Sequence, residues 1–136
     1  MTTKEWLNRG YDTWKRLQIQ KAHLETLDNV VSRYGAREIE VYHAENVSET
    51  TFLQWSEIKR EVETMERKLE AIDKETKEAL TLLNNPNEYA VLYCRYIMRK
   101  SWDDVAEICR YSKRSAFYFH SAGIDHLGTL IYSKIE

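Results

Sequence analysis

The sequence predicts an all-α protein: a long antiparallel, coiled-coil-like helical hairpin followed by a compact unit of shorter helices. Three observations carry this. A heptad seam runs for more than three repeats through the middle of the chain. Among 136 residues there are one Pro and four Gly, too few for a turn-rich β fold. Toward the C-terminus two serines each stand where they can cap a short amphipathic helix. The length suits one domain or a small domain plus an extension, and the division expected is a hairpin over 1–85 and a second unit over 86–136.

The first helix is expected from about Lys4 to Arg33. Leu7, Trp14, Leu17, Leu24 and Val31 recur at seven- and three-residue spacings, with Leu27 and Val30 widening the face near its end. Lys21 and Asp28 interrupt that stripe, and Gly10 weakens the first turns. Gly35 is a plausible left-handed stop. Arg37 to Ser48 has no helical stripe and reads as a loop, although Glu38 to Tyr42 alternates polar and apolar, and a lone strand is marginal.

The second long helix is the clearer one. Ser48, Thr50 or Thr51 can cap it, and Ile58, Val62, Met65, Leu69, Ile72, Thr76, Ala79 and Leu83 alternate four and three apart. Asn84-Asn85-Pro86-Asn87 stops it, because Pro86 lacks a donor and turns Asn85 away from helical angles. Each helix would run some 30 residues, roughly 45 Å at 1.5 Å per residue. An antiparallel hairpin is the simplest use of the two stripes. A dimer-forming coiled coil is the other, and both can hold together. Trp55 lies off the seam, where it can serve as an exposed contact.

From Glu88 to Met98, Tyr89, Leu92, Tyr93, Tyr96 and Ile97 form an apolar face that Val91 and Cys94 broaden. Two helices then meet at a tight turn. Ser101 caps the first, with Asp104 in a capping-box position. Trp102, Val105, Ala106 and Ile108 supply its inward face, and Arg110 and Tyr111 fall in the turn. Ser112 caps a helix beginning at Lys113, with Ala116 and Phe119 inward, continuing past Gly123 through Ile124 and Leu127 to a stop at Gly128. Lys113, Arg114, Ser115, Phe117 and Tyr118 face outward near its N-terminus, the part of a helix-turn-helix that reads DNA. Arg95, Arg99, Lys100 and Arg110 flank the motif as a phosphate-contacting collar. The plainer reading of these cations is a solvated surface neutralised by Asp103, Asp104 and Glu107.

Val91-Leu-Tyr-Cys-Arg-Tyr-Ile followed by Ser101-Trp-Asp-Asp-Val-Ala resembles region 4 of sigma factors, in which a leucine-x-leucine-arginine-tyrosine helix precedes a threonine-leucine-glutamate-glutamate-isoleucine-alanine helix. With its N-terminal Trp6-Leu7-Asn8 helix and second long heptad helix, the chain is similar to the small phage-encoded sigma-70 region 4-like regulators. These include the RinA- and ArpU-type late-gene activators of phages of Gram-positive bacteria. The resemblance covers most of the chain and is sharpest in roughly its last third. It implies a transcriptional regulator of phage or prophage late genes, acting in the host cytoplasm on promoter DNA, with host RNA polymerase and a second copy of the chain as further partners. Carried over by position, Lys113, Arg114, Ser115, Phe117 and Tyr118 fall where that family reads its promoter, with Phe117 and Tyr118 where sigma factors often place Arg and Gln. The alternatives are a protein-interaction module and a polymerase-binding sigma mimic that does not bind DNA by itself.

Other functional classes find little support. Cys94, Cys109, His120 and His126 lack the close spacing of a metal clamp and read as core thiols and ordinary histidines. Ser115, His120 and Asp125 lie five apart on one helix, turned away from each other, so they make no triad with or without Ser112. There is no Gly-rich phosphate loop, nucleophile elbow or paired-carboxylate motif. The expectation is therefore a non-enzymatic protein with neither cofactor nor metal. The polar opening has no secretory apolar region, no lipidation signal is present, and no apolar run approaches membrane-spanning length. The two Cys then read as reduced cytoplasmic thiols. From Glu88 to Glu136 there are 7 Lys/Arg and 6 Asp/Glu, a balance of +1, against −3 for the remainder (13 and 16). That small asymmetry fits a DNA-contacting C-terminal unit without deciding for it.

Overall fold

The computed structural model describes residues 1–36 and 45–135, and every regular element among them is helical. The order is α1 (Thr3–Leu7), α2 (Tyr11–Ala36), α3 (Glu45–Leu80), α4 (Pro86–Leu92) running on through a π-helical turn (Tyr93–Ile97), α5 (Trp102–Cys109), α6 (Lys113–Leu130) and α7 (Tyr132–Ile135). The all-α expectation holds. The expected extended piece at Glu38 to Tyr42 lies outside the described residues, as does the loop up to residue 44. α3 begins at Glu45, so Glu45 to Ser48 is helix and not the expected loop, and Ser48, Thr50 and Thr51 lie inside the helix and not at its cap.

Contacts divide the chain into two compact units, one of Tyr11–Glu70 and the other of Met1–Gly10 with Ala71–Glu136. This division falls at Gly10 and Glu70, not at the expected position 85. In the Tyr11–Glu70 unit, Leu17, Val62 and Leu69 are buried together, with Trp14, Leu24, Ile58 and Met65 packed on them. The polar pairs run in opposite chain directions. Gln20 donates to Glu61 (2.9 Å), and the Trp55 indole N–H donates to Asp28. Lys21 pairs with Glu66 at 3.4 Å. The two residues that interrupt the α2 stripe, Lys21 and Asp28, thus both make polar links to α3, as does Gln20. Trp55 is half-buried and engaged, with Lys59 over its ring at 4.7 Å, so it is not the free surface contact expected.

The second unit starts with α1, whose Thr2 and Glu5 close a capping box. The continuous helix expected from Lys4 does not form. Trp6 O accepts from Arg9 N (3.3 Å) and from Arg9 Nε (2.8 Å), so the carbonyl that a continuing helix would direct to the amide of Gly10 is already taken. The Arg9 guanidinium also lies 4.0 Å over the Trp6 ring and reaches Glu75 and Thr76 of α3, each at 3.2 Å. That anchor sends Trp6 and Leu7 into a core with Ala79, Leu80, Leu92, Tyr96, Leu127 and Ile131. Leu7 is therefore no part of the α2 stripe. The heptad seam of α3 serves two cores, its Ile58–Leu69 part in one unit and its Thr76–Ala79 part in the other.

Asn85 turns from α3 into α4. Its side chain accepts from Asn87 N (2.8 Å), and Pro86 takes the first helical position, where a missing N–H costs nothing. The tetrapeptide starts α4 but does not end α3, which stops earlier than expected, at Leu80, where Leu82 N and Leu83 N turn back to Ala79 O (3.0 Å) and Leu80 O (3.1 Å) and leave Leu83 outside the helix. α4 crosses α6 closely at Gly123, where an added Cβ would sit 3.0 Å from Leu92 Cδ1 and 3.2 Å from Glu88 Cβ. α6 runs on past Gly128, the expected stop, to Leu130. Gly128 is instead a close approach, since a Cβ there would lie 2.7 Å from Thr3 Oγ1 of α1.

Candidate nucleic-acid interface

The segment expected to carry function is built around α5, a three-residue turn and the start of α6. Ser101 Oγ accepts from Asp104 N (3.2 Å) and opens α5. Val105, Ala116, Val91 and Cys94 are buried together beneath it, with Trp102, Cys109, Tyr111 and Phe119 packed around them. Ile108, expected inward, is 48% exposed. The inward set of α5 is Trp102, Val105, Ala106 and Cys109, at steps of three, one and three, which hold one helix face. Ile108 falls off that face and Cys109 takes the place.

The turn after α5 closes with two backbone bonds, Arg110 N to Glu107 O (3.2 Å) and Tyr111 N to Ala106 O (2.9 Å). This is the Schellman pattern, with Arg110 in the left-handed position that Gly usually fills (φ 59°, ψ 43°). Tyr111 is fixed at its far end, donating its phenol to Asn87 of α4. Ser112 Oγ then accepts from Ser115 N (3.1 Å), so α6 begins at Lys113 as the sequence predicts.

Four of the five residues expected on the outward face stand there. Lys113 and Arg114 are exposed, Phe117 is 46% exposed and Tyr118 68%. Ser115 is half-buried, and its hydroxyl receives one from Ser112 at 3.1 Å, so it belongs to the cap. Lys113 Nζ rests 2.7 Å from Asp103 Oδ1. Both side chains are well exposed, and such a pair is worth little and opens readily. Arg114 has no ion pair among the described residues.

The four flanking cations divide. Arg110 is exposed and Lys100 half-exposed. Arg99 is not available as expected, because its side chain is 9% exposed and grips Asp73 of α3 through both terminal nitrogens (2.8 and 3.2 Å) while donating to Ile97 O (2.9 Å). The cause is local. The π-helical turn closes through Met98 N to Tyr93 O, and Arg99 follows at φ 55°, which turns it back to α3. Arg95 donates to Lys100 O (2.8 Å) and lies 4.8 Å over the Trp102 ring, so its guanidinium is committed to holding that loop.

Trp102 is the hub of an aromatic cluster that the sequence suggests only as an anchor. The Phe117 and His120 rings each meet it edge-on at 4.8 Å, and His120 stacks on Tyr96. Burial pushes the Tyr96 phenol up to about 12, so it stays protonated. Burial, with help from the Lys4 and Arg95 charges, brings His120 down to about 4, so a neutral imidazole shares a hydrogen bond at Nε2 with the Tyr96 hydroxyl (2.6 Å). The signal was in the spacing. Ala116, His120, Gly123 and Leu127 step by four, three and four along the inward face of α6.

Cys94 and Cys109 are free thiols 3.9 Å apart, and burial, then the neighbouring Cys109, pushes Cys94 up to about 11. His126 Nδ1 lies 2.6 Å from buried Glu88. No group of three or more His, Cys, Asp or Glu able to hold a metal ion occurs among the described residues, nor does a helix long and apolar enough to cross a membrane. Ser115, His120 and Asp125 are not joined to one another, with Ser115 on Ser112 and His120 on Tyr96.

Comparisons with known protein families, with curated proteins and with solved structures found no match to this chain.

Proposed function

We propose that the protein is a non-enzymatic, sequence-specific DNA-binding regulator in which α5 and α6 act as a helix-turn-helix of the sigma-region-4 kind. The observation that carries the reading is the start of α6. A Ser-capped N-terminus projects Lys113, Arg114, Phe117 and Tyr118 to solvent, while Ala116 and Leu127 on the opposite face are fully buried. A helix of that kind fits the major groove by its N-terminal turns, with cations for phosphates and base edges within reach of its outward residues. Lys100, Arg110, Lys113 and Arg114 are the residues for phosphate and base contact, and Arg95 and Arg99 shape the frame. The antiparallel α2–α3 pair is a helical hairpin that holds a partner, either a second copy or host RNA polymerase. With the sigma-region-4 resemblance, the reading extends to promoters of phage or prophage late genes in a bacterial cytoplasm.

Lys113→Ala/Arg114→Ala tests it. The double variant should keep its helical circular dichroism and lose retardation of promoter duplexes by at least tenfold in Kd. For the wild-type protein, log K should fall against log salt with a slope of about −0.9 for each phosphate neutralised. Equal binding by the folded double variant would sink the proposal. The exposed rings of Phe117 and Tyr118 favour one second reading, a protein-binding face. That reading predicts that the protein retards no duplex, whether polymerase is present or not.

A further inference from the structure

We infer that α6 reads a thymine-rich half-site, with Arg114 on one guanine and the rings of Phe117 and Tyr118 against the C5-methyl groups of neighbouring thymines. This rests on the DNA-binding reading and names what that site would recognise.

Arg114, Phe117, Tyr118 and Ser121 stand at steps of three, four and seven along α6, and all four are on its exposed side. The buried residues Ala116, Gly123 and Leu127 lie on the other side. In the first two turns, the part of a recognition helix that meets base edges, that exposed side carries one guanidinium without an ion pair and two rings. Lys113 lies at its flank, drawn to Asp103 of α5. One free guanidinium can make one bidentate contact to guanine O6 and N7. The rings can make none, and the thymine methyl is the one apolar group a base pair shows in the major groove. The exposed faces of these two rings at a polar, DNA-facing surface therefore have one matched apolar target among the four bases, with the Tyr118 hydroxyl free to reach a polar group beside it.

The Phe117 ring is also held in place before any DNA arrives, while that of Tyr118 rests on its chain neighbour. Phe117 meets Trp102 edge-on at 4.8 Å with the planes 65° apart, and Trp102 itself lies beneath Arg95. Tyr118 meets Phe119 at 5.5 Å and 72°. Phe117, fixed by Trp102, loses little freedom on binding, which makes a weak methyl contact effective.

The test uses the full chain and a pool of randomised DNA duplexes. Selection should enrich duplexes with thymines beside a G·C pair. The enriched duplex is then resynthesised with uracil for thymine, one position at a time, which deletes the methyl group alone. Loss of a contacted methyl should weaken wild-type binding about fourfold. Tyr118→Ala and Phe117→Ala, each checked for unchanged helicity, should bind the thymine and uracil duplexes alike at the position each ring reads. Equal binding of thymine and uracil duplexes by the wild-type protein would overturn the inference while leaving DNA binding intact. Failure to enrich or retard any duplex would overturn the DNA-binding reading itself, and this inference with it.

Discussion

Arg99 and Arg110 are both held at positive φ, 55° and 59°, a region that costs a residue with a Cβ about 1–2 kcal/mol. For Arg99 the compensation is visible in its side chain, which binds Asp73 through two nitrogens and Ile97 O through one. Removing it leaves a mostly covered carboxylate without its partner, so Arg99→Ala should lower stability by about 2 kcal/mol in urea unfolding. Arg99→Lys should recover only part of that, because an ammonium cannot reproduce a two-point grip. If the protein binds DNA as proposed, the affinity per folded molecule should stay within twofold of wild type. A large loss of affinity with unchanged stability would return Arg99 to the phosphate collar expected from the sequence. His120 gives a second prediction. Its folded pKa is lowered to about 4 from an unfolded value near 6.5, chiefly by burial. Between those values the unfolded chain binds more protons, so this group's contribution is complete above about pH 6.5 and is lost as pH falls toward 4. The ring signals of His120 in an NMR titration should stay those of a neutral imidazole from pH 7.5 to 5. His120→Gln, whose amide can still hydrogen-bond to Tyr96, should shrink the drop in Tm across that range. A His120 that titrates near 6.5 in the native state would contradict the burial argument.

At the scale of elements, Gly123 decides how closely α6 can approach α4. A helix interior gains up to about 1 kcal/mol when Gly becomes Ala, so the exchange is favourable in isolation. Here the new Cβ would meet Leu92 Cδ1 at 3.0 Å and Glu88 Cβ at 3.2 Å. Leu92 is fully buried, and a Cβ cannot swing aside without its backbone. The clash should outweigh the propensity gain, with Gly123→Ala destabilised by about 1–2 kcal/mol in chemical unfolding. A stabilised variant would mean that the two helices separate easily. Such a contact is invisible to sequence, which registers only the propensity cost of Gly123. What sequence does register is local and periodic: the Ser112 cap, the α6 start at Lys113, the seam through Val62 and Leu69, and the break at Pro86, although α3 itself ends earlier, at Leu80. What it misses depends on partners distant along the chain or on irregular backbone. The Arg9 side chain that ends α1 works through Glu75 and Thr76, and the π-helical turn redirects Arg99 by changing register where the residues themselves look helical throughout. The same limit applies to the site. Outward positions on α6 follow from the cap and the helical period, whereas the side-chain engagement of Arg95, Arg99 and Ser115 does not.

Across the whole molecule the two compact units are unequal in the cores that hold them. The Tyr11–Glu70 unit has two helices, and Leu17, Leu27, Val62 and Leu69 are its buried apolar side chains among the described residues. The other unit buries Trp6, Leu7, Leu80, Val91, Leu92, Tyr96, Val105, Ala116, Leu127 and Ile131, drawn from five of its helices and the π-helical turn. Helices are held mainly by the apolar faces they bury, because propensity alone leaves short helices marginal in water. Local opening should therefore cost less in the two-helix unit. The Lys21–Glu66 pair, half exposed on both sides, adds little to offset the difference. Hydrogen exchange followed by mass spectrometry should show the amides of α2 and of α3 up to Glu70 exchanging at least tenfold faster than those of α4 and of α6 between Ala116 and Leu127. The seam residues Val62 and Leu69 are already covered by α2, so a second copy of the chain binding elsewhere on this unit would slow exchange only where it docks. If the protection of α2 and α3 instead rises with protein concentration along the whole seam, the seam is shared between copies, and the intramolecular pairing of Leu17 with Val62 is not the state in solution.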